Sequence, residues 1–347
     1  MKPQTKSIDC VTYLTPDEFN TQYYNIKPVI IKGGAKHTVC YNRWSFNYLK
    51  EKVGSRIVKV AYTESGNYNY VIKEVKWLHS PFNEMVELFG SEDKSNNSYY
   101  LAQTSIKQYF PELLGELDHP KFISGEDVLD TINIWMGGAG CDSGLHYDNS
   151  HNFFYQIQGR KEIALFAPED SDNLYSSKLE KKTHMSEVDF HHVDTARFPL
   201  FNKATPFYCL AEPGDVVYMP TGWWHNVLSL DQSISVNYWW HRFDIPSGRG
   251  TPLFKVEEIR AFIKNFIDKG LSIDHQDQAG EPLLLKAVRQ GYPNFVEALL
   301  LMGADPNTIS HTYKPGVSAL AIAKEKGHQQ IENLLVKYGA TEFERTY

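Results

Sequence analysis

The stretch "GLHYDNSHNFF", residues 144–154, decides how the rest of the chain is read. It places His146, Asp148 and His151 within six positions and follows them with an aromatic pair. In an extended strand residues i and i+2 share a face, so His146 and Asp148 point the same way and can reach one ion, while Tyr147 points away. His151 is off that parity and is read as a non-ligand. The triplet is weak by itself, because His-x-Asp occurs three times, at His146/Asp148, His192/Asp194 and His275/Asp277. The second lies in the polar segment "DFHHVDTARFP", which lacks strand alternation, and the third in a helical array, so both read as surface residues.

Context separates the first triplet from the others. An iron site with open positions for a co-substrate and O2 needs a third ligand on the same octahedral face, giving two histidines and one carboxylate. The candidate is His225 in "GDVVYMPTGWWHNV", 79 residues beyond His146. A turn at Gly214-Asp215, a strand over "VVYMP" and the Trp pair would deliver it beside an apolar wall. Taken alone, His225 also fits a strand-edge histidine packed on Trp223 or Trp224. The presence of His146 and Asp148 favours the ligand.

Around these residues, from about 28 to 240, short β-rich runs alternate with turn residues: "PVIIKGG", "RIVKVAYT", "YYLAQ", "TINIWMGG", "NFFYQIQGRKEIALFAP", "GDVVYMP" and "SISVNYWW". Such punctuation predicts a barrel or sandwich, with helices at "PDEFNTQYY" and "FNEMVELFG" packed outside it. We divide the chain into residues 1–243, a linker at 244–254, and a helical region at 255–340. In that last region the sequence repeats at an offset of 36: Gly280/Gly316, Leu284/Leu320, Ala287/Ala323, Gly291/Gly327, Leu299/Leu335, Gly303/Gly339 and Ala304/Ala340 coincide. The pattern resembles about two and a half ankyrin repeats, each a turn plus two helices. So few repeats are near the minimum that stacks stably and are expected to lean on the barrel or on "TPLFKVEEI" as a cap.

Bulk composition narrows the function classes. A 347-residue chain with 42% hydrophobic residues can bury one large core plus a smaller one. A net charge of −7 without a basic run argues against nucleic acid as a partner. Cys10, Cys40, Cys141 and Cys209 are scattered, which argues against a thiolate zinc site or disulfide framework and for a reducing interior. The start lacks an apolar signal region and no 18-residue apolar run follows, so the expectation is a cytoplasmic protein with no membrane segment.

The segments "SGLHYDNSHNFFYQIQGRKEIALFAPED", "EPGDVVYMPTGWWHNVLSL" and "ISVNYWW" resemble the JmjC family of Fe(II)/2-oxoglutarate oxygenases, and within it most of all the asparaginyl hydroxylase factor inhibiting HIF. The likeness is good over roughly residues 95–240 and weak before that. It implies a mainly β fold, a double-stranded β-helix of the jelly-roll or cupin type with flanking helices, ahead of the small all-α repeat domain. It makes His146, Asp148 and His225 the iron ligands and Lys161 the partner of the distal carboxylate of 2-oxoglutarate. The physics agrees, since a buried dianion requires a cation and hydroxyl donors. Ser143 and Tyr100 are the implied hydroxyl partners, although Tyr99 could replace Tyr100. Asn152 and Asn237 match asparagines near the chelating end of the co-substrate, and Trp239 a substrate-side tryptophan.

One departure concerns the target. Where the asparaginyl hydroxylase grips its substrate amide with an Arg-Gln pair, this chain has His184-Met185, and methionine cannot supply those hydrogen bonds. The resemblance implies a protein hydroxylase using Fe(II), 2-oxoglutarate and O2, acting on an Asn-, Asp- or His-type side chain of a polypeptide, with ankyrin-repeat proteins or its own repeats as candidate partners. The alternatives are an N-methyl-lysine demethylase and a non-catalytic adaptor built on a metal-binding barrel. The resemblance does not settle the oligomeric state.

Overall fold

The computed structural model describes residues 6–89, 98–123, 127–148, 150–179, 182–242, 256–267, 272–274, 282–310 and 316–341. Contact clustering divides the chain into a unit of residues 1–122 with 129–241 and a second of 123–128 with 242–347. The proposed linker at 244–254 falls outside the described residues, as do His275, Asp277 and Gly280.

The first unit opens with β1 (Lys6–Ser7), β2 (Asp9–Val11), α1 (Pro16–Gln22), β3 (Val29–Ile31), α2 (Val39–Arg43) and α3 (Phe46–Val53). It continues with β4 (Ile57–Tyr62), β5 (Lys76–Pro81), α4 (Phe82–Phe89), β6 (Tyr99–Ser105), α5 (Ile106–Tyr109) and β7 (Val128–Gly137). The remaining strands are β8 (His146–Tyr147), β9 (His151–Gln158), β10 (Lys161–Phe166), β11 (Phe207–Ala211), β12 (Val216–Met219), β13 (Trp224–Ser229) and β14 (Ser233–His241). They form a five-stranded sheet in the order β1-β11-β10-β13-β8 and a nine-stranded sheet in the order β2-β3-β12-β9-β14-β7-β6-β4-β5.

A shared apolar core joins the two sheets. Ile163 and Leu165 of β10 and Val227 of β13 pack in one cluster with Ile30 of β3, Phe154 of β9 and Val217 and Met219 of β12. Strand β9 is buried along nearly its whole length, because its two faces meet different cores. Phe154 and Gln156 share a face with Asn152, whereas Phe153 faces the other way, its ring near those of Phe19 from α1, Phe122, Tyr218 and Trp240. Helix α1 is sited by its own sequence: Thr15 caps it, Glu18 returns the bond to the Thr15 backbone, and Pro16 opens the first turn. The β-rich core with flanking helices is therefore as expected, with β1, β2, β5, β11 and β13 as strands outside the runs read from the sequence.

The second unit is described by itself. Helices α6 (Val256–Ile267), α7 (Leu283–Gln290), α8 (Pro293–Leu301), α9 (Ala319–Glu325) and α10 (Gln329–Lys337) surround one apolar core that includes Ile259, Leu284, Leu299, Leu320 and Leu335. The 36-residue offset recurs in the backbone: the left-handed glycines Gly291 and Gly327 sit before the second helix of each pair, and Gly303 and Gly339 after it.

The turn between β9 and β10 is tightly constrained. Gly159 has φ +73°, and a Cβ there would lie 2.2 Å from the Gln232 carbonyl oxygen. Gly159→Ala should cost about 2 kcal/mol or more, read as a lowered denaturant midpoint with unchanged m-value. A wild-type midpoint would show that the turn relaxes freely.

Candidate metal centre

Strand β8 is two residues long, yet its register with β13 sets His146 directly across from His225. Directly opposed residues in an antiparallel pair share a face, so both rings project to the same side, 4.3 Å apart between centroids. Asp148 leaves the end of β8 on the same parity, and its Oδ2 lies 3.6 Å from His225 Nε2. Candidate donor atoms of the three residues all lie within 4.8 Å of one another, and no other such cluster occurs among the described residues.

The imidazoles are oriented from behind. Nδ1–H of His146 donates to the Gly144 carbonyl at 2.9 Å, and Nδ1–H of His225 donates to the Trp223 carbonyl at 3.0 Å. Those bonds fix the tautomer that leaves both Nε2 lone pairs for an ion. Burial pushes both rings down to about 4, with the neighbouring His225 adding to the effect on His146, so both are neutral ligands at pH 7. Burial raises the Asp148 carboxyl above the usual carboxylate range, with His146 and His184 opposing it in part.

The loop behind His146 is held by groups that sequence reading passed over. Asp142 accepts from the Gly144 amide at 2.9 Å and from the Asn226 side chain, whose oxygen faces His191 Nε2 at 3.1 Å. No motif announces this arrangement, because its members are scattered through the chain.

A pocket opens beside the triad. Its walls include Tyr100, Trp135, Ser143, Asn152, Asn237 and Trp239, polar side chains set among aromatic ones. Asn152 opposes Trp239 and Phe154 opposes Asn237 between β9 and β14, which puts all four on the inner face. Asn237 Oδ1 accepts from Trp135 Nε1 at 3.0 Å, while Asn152 Oδ1 and Trp239 Nε1 are buried without a partner. Ser143 is committed to the backbone, donating to Gly144 O and accepting from the Val227 amide.

Lys161 is 0% exposed, and among the described residues no carboxylate pairs with it. Its Nζ donates to the Tyr100 hydroxyl at 3.2 Å and lies over the rings of Tyr100 and Phe154. Tyr100, rather than Tyr99, is therefore the hydroxyl beside it. Burial lowers this amine to about 8, and Cys141 acts in the opposite sense. A buried cation with a hydroxyl neighbour and no counter-ion fits an anionic ligand. The lone-pair set of two imidazoles and one carboxylate fits Fe(II).

Other expectations resolve plainly. His151 is not part of the triad; its Nδ1 meets the Tyr218 hydroxyl at 2.9 Å. His192 pairs at the surface with Asp189. His184 lies outside the pocket lining, its Nε2 2.6 Å from the Tyr70 hydroxyl. Met185, expected on the substrate side, is 2% exposed and is bridged antiparallel to His146, which puts it on the same face as that ring.

Fold and site together define a cupin with a two-histidine, one-carboxylate centre. The family model for the cupin-like domain matches residues 16–245, so the chain belongs to that family. It is 35% identical over 218 residues to lysine-specific demethylase 8 of Xenopus tropicalis, covering 62% of this chain and 48% of the relative. It is 36% identical over 244 residues to JmjC domain-containing protein D of Dictyostelium discoideum, covering 63% and 53%. To tRNA wybutosine-synthesizing protein 5 of Mus musculus it is 30% identical over 236 residues, covering 63% and 72%. The chain spans about half the length of the first two. By their names these relatives are a lysine-specific demethylase, a JmjC domain-containing protein and a wybutosine-synthesizing protein, which corrects the narrower likeness to an asparaginyl hydroxylase. JmjC cupin oxygenases use Fe(II), 2-oxoglutarate and O2, and this chain carries the triad for them.

Two outcomes follow from the geometry. Gly144 has φ +73°, and a Cβ there would lie 2.5 Å from that of Asn69. Gly144→Ala should shift the carbonyl that orients His146 and weaken metal binding about 10- to 100-fold in an anaerobic Co(II) titration; unchanged affinity would remove the orienting role. The second concerns Lys161. With an amine near 8 in the free protein and a dianion that binds only its protonated form, 2-oxoglutarate affinity should be level below pH 7.5 and fall about tenfold per pH unit above 8. Calorimetry from pH 6.5 to 9.5 reads it, and a flat profile would sink it.

Proposed function

We propose that the protein is an Fe(II)- and 2-oxoglutarate-dependent oxygenase acting on N-methyl-lysine in a polypeptide. The observation that carries the oxygenase part is the His146–Asp148–His225 triad in one pocket with Tyr100, whose hydroxyl accepts from the buried Lys161, a lysine with no carboxylate partner among the described residues. The names of relatives that are lysine-specific demethylases support the methyl-lysine part. The His184-Met185 segment supports it too, because it offers no pair of amide-gripping side chains.

His146, Asp148 and His225 would hold the ion on one face of its coordination sphere. Lys161 and the Tyr100 hydroxyl would bind the distal carboxylate of the co-substrate. Asn152 Oδ1 and Trp239 Nε1, lacking partners, would take hydrogen bonds at the inner wall. When bound, the iron, 2-oxoglutarate and O2 supply the oxidising power that puts one oxygen atom into a substrate C–H bond and the other into succinate, with release of CO2. Apolar walls at Phe154, Met219 and Val227 exclude water from that chemistry. On an N-methyl carbon the hydroxylated product loses formaldehyde; on a ring or chain carbon it persists as an alcohol.

Hydroxylation of a side-chain carbon is the second reading, kept because the same triad and pocket serve both reactions. The C-terminal unit we read as ankyrin repeats, on the strength of the 36-residue offset and its paired left-handed glycines, and we assign it to substrate recruitment. Among candidate targets within its own repeats, Asn307 already spends its side chain: Oδ1 accepts from the Thr341 amide at 2.8 Å and hydroxyl at 3.0 Å.

The test incubates the full chain with Fe(II), 2-oxoglutarate and methyl-lysine peptides. Formaldehyde in step with succinate, both abolished by His146→Ala, is the expected result. A +16 mass shift without formaldehyde supports the second reading. Succinate formation that survives His146→Ala would defeat both.

A further inference from the structure

The loop at 67–73 and the segment at 182–186 meet beside Asp148, and neither belongs to the pocket described above. Asn69, 0% exposed, ties them: its Nδ2 donates to the Ser186 carbonyl at 2.9 Å, and its Oδ1 accepts from the Val71 amide at 3.1 Å. His184 is anchored through its carbonyl, which accepts from the Tyr147 amide at 3.0 Å at the end of β8. Between these supports the Tyr70 hydroxyl and His184 Nε2 lie 2.6 Å apart, so the Tyr70 ring is held in place although 38% exposed. Both side chains feel the Asp148 carboxylate, which raises the Tyr70 hydroxyl further after burial and opposes the downward push of burial on His184. The pair therefore stands beside a metal ligand and in reach of solvent.

The face of that ring is covered. Lys182 Nζ sits over it, 5.1 Å from the centroid, and among the described residues Lys182 makes no ion pair. An alkylammonium on a fixed phenol ring, next to the negative ligand of the site, is the arrangement that recognises a cationic side chain. Here the chain's own lysine occupies it.

We propose that the Tyr70 ring face, positioned by His184, is the receptor for a cationic side chain of the polypeptide substrate, and that Lys182 is a self-ligand displaced when substrate enters. This rests on the reading that the substrate is a basic polypeptide segment. Tyr70 and His184 act through recognition, outside the triad. Lys182 lowers apparent affinity, because substrate must compete with it for the same ring.

The experiment uses the full chain and two probes. With a methyl-lysine peptide, Lys182→Ala should lower KM about three- to tenfold, and Tyr70→Leu should raise KM by a similar factor and erase the gain from Lys182→Ala in the double variant. Tyr70→Phe, which keeps the ring, should retain the response to Lys182→Ala. With tetramethylammonium as inhibitor of peptide-independent 2-oxoglutarate turnover, Lys182→Ala should inhibit at lower concentration than wild type, and Tyr70→Leu should be insensitive. Inhibition that Tyr70→Leu leaves unchanged, or strictly additive effects of the two substitutions, overturns the receptor. Ring-dependent inhibition without any turnover of methyl-lysine peptides leaves the receptor standing and removes the methyl-lysine reading instead.

Discussion

The pairing of β8 with β13, two residue pairs long, is the constraint on which the site depends. A slip of one residue would turn His146 to the opposite face and break the triad, because side-chain direction alternates along a strand. So short a ladder cannot hold that register by its own hydrogen bonds. The register is held from both sides: by the Asp142 carboxylate clamping the Gly144 amide and Asn226, and by the 184–186 segment pairing with the far edge of β8. The buried polar network is thus a positional device, and its members are as structural as the apolar core beneath them.

Much of this was legible in the sequence where a local rule applied. Strand parity put His146 and Asp148 together and dropped His151; the aromatic and β-branched runs located the strands that carry Asn152, Lys161 and Asn237. The illegible parts are those set by distant partners. Met185 is set opposite His146 by its bridge to β8, a pairing that no local pattern encodes. Tyr70 lies in "NYNYVIK" without periodicity, and Asp142, Asn226 and His191 become neighbours only when three segments close. The choice of Tyr100 over Tyr99 likewise rests on strand parity in β6 relative to Lys161, available only once the register with β7 is known. The likeness to an asparaginyl hydroxylase rested on motifs that the wider family shares, so those motifs reached the cofactors and not the narrower subfamily.

The charges inside the pocket explain why it holds so few charged side chains. Asp148 and a dianionic co-substrate carry three negative charges; a divalent ion and Lys161 carry three positive ones. The filled site is neutral, and any further ionised group within it would be uncompensated in a low-dielectric space. Without its ligands the imbalance falls on Lys161, whose amine is pushed down to about 8 by burial. Co-substrate binding removes that penalty, so part of its affinity comes from relieving a strained lysine as well as from new hydrogen bonds. The same balance bears on the substrate. A cationic side chain brought into the filled pocket would upset its neutrality, whereas one stopped at the Tyr70 ring, beside the outer edge of Asp148, keeps its charge partly in water and presents only an apolar carbon inward. Recognition of charge at the rim and oxidation of carbon within then become separate tasks, carried by different residues of one fold.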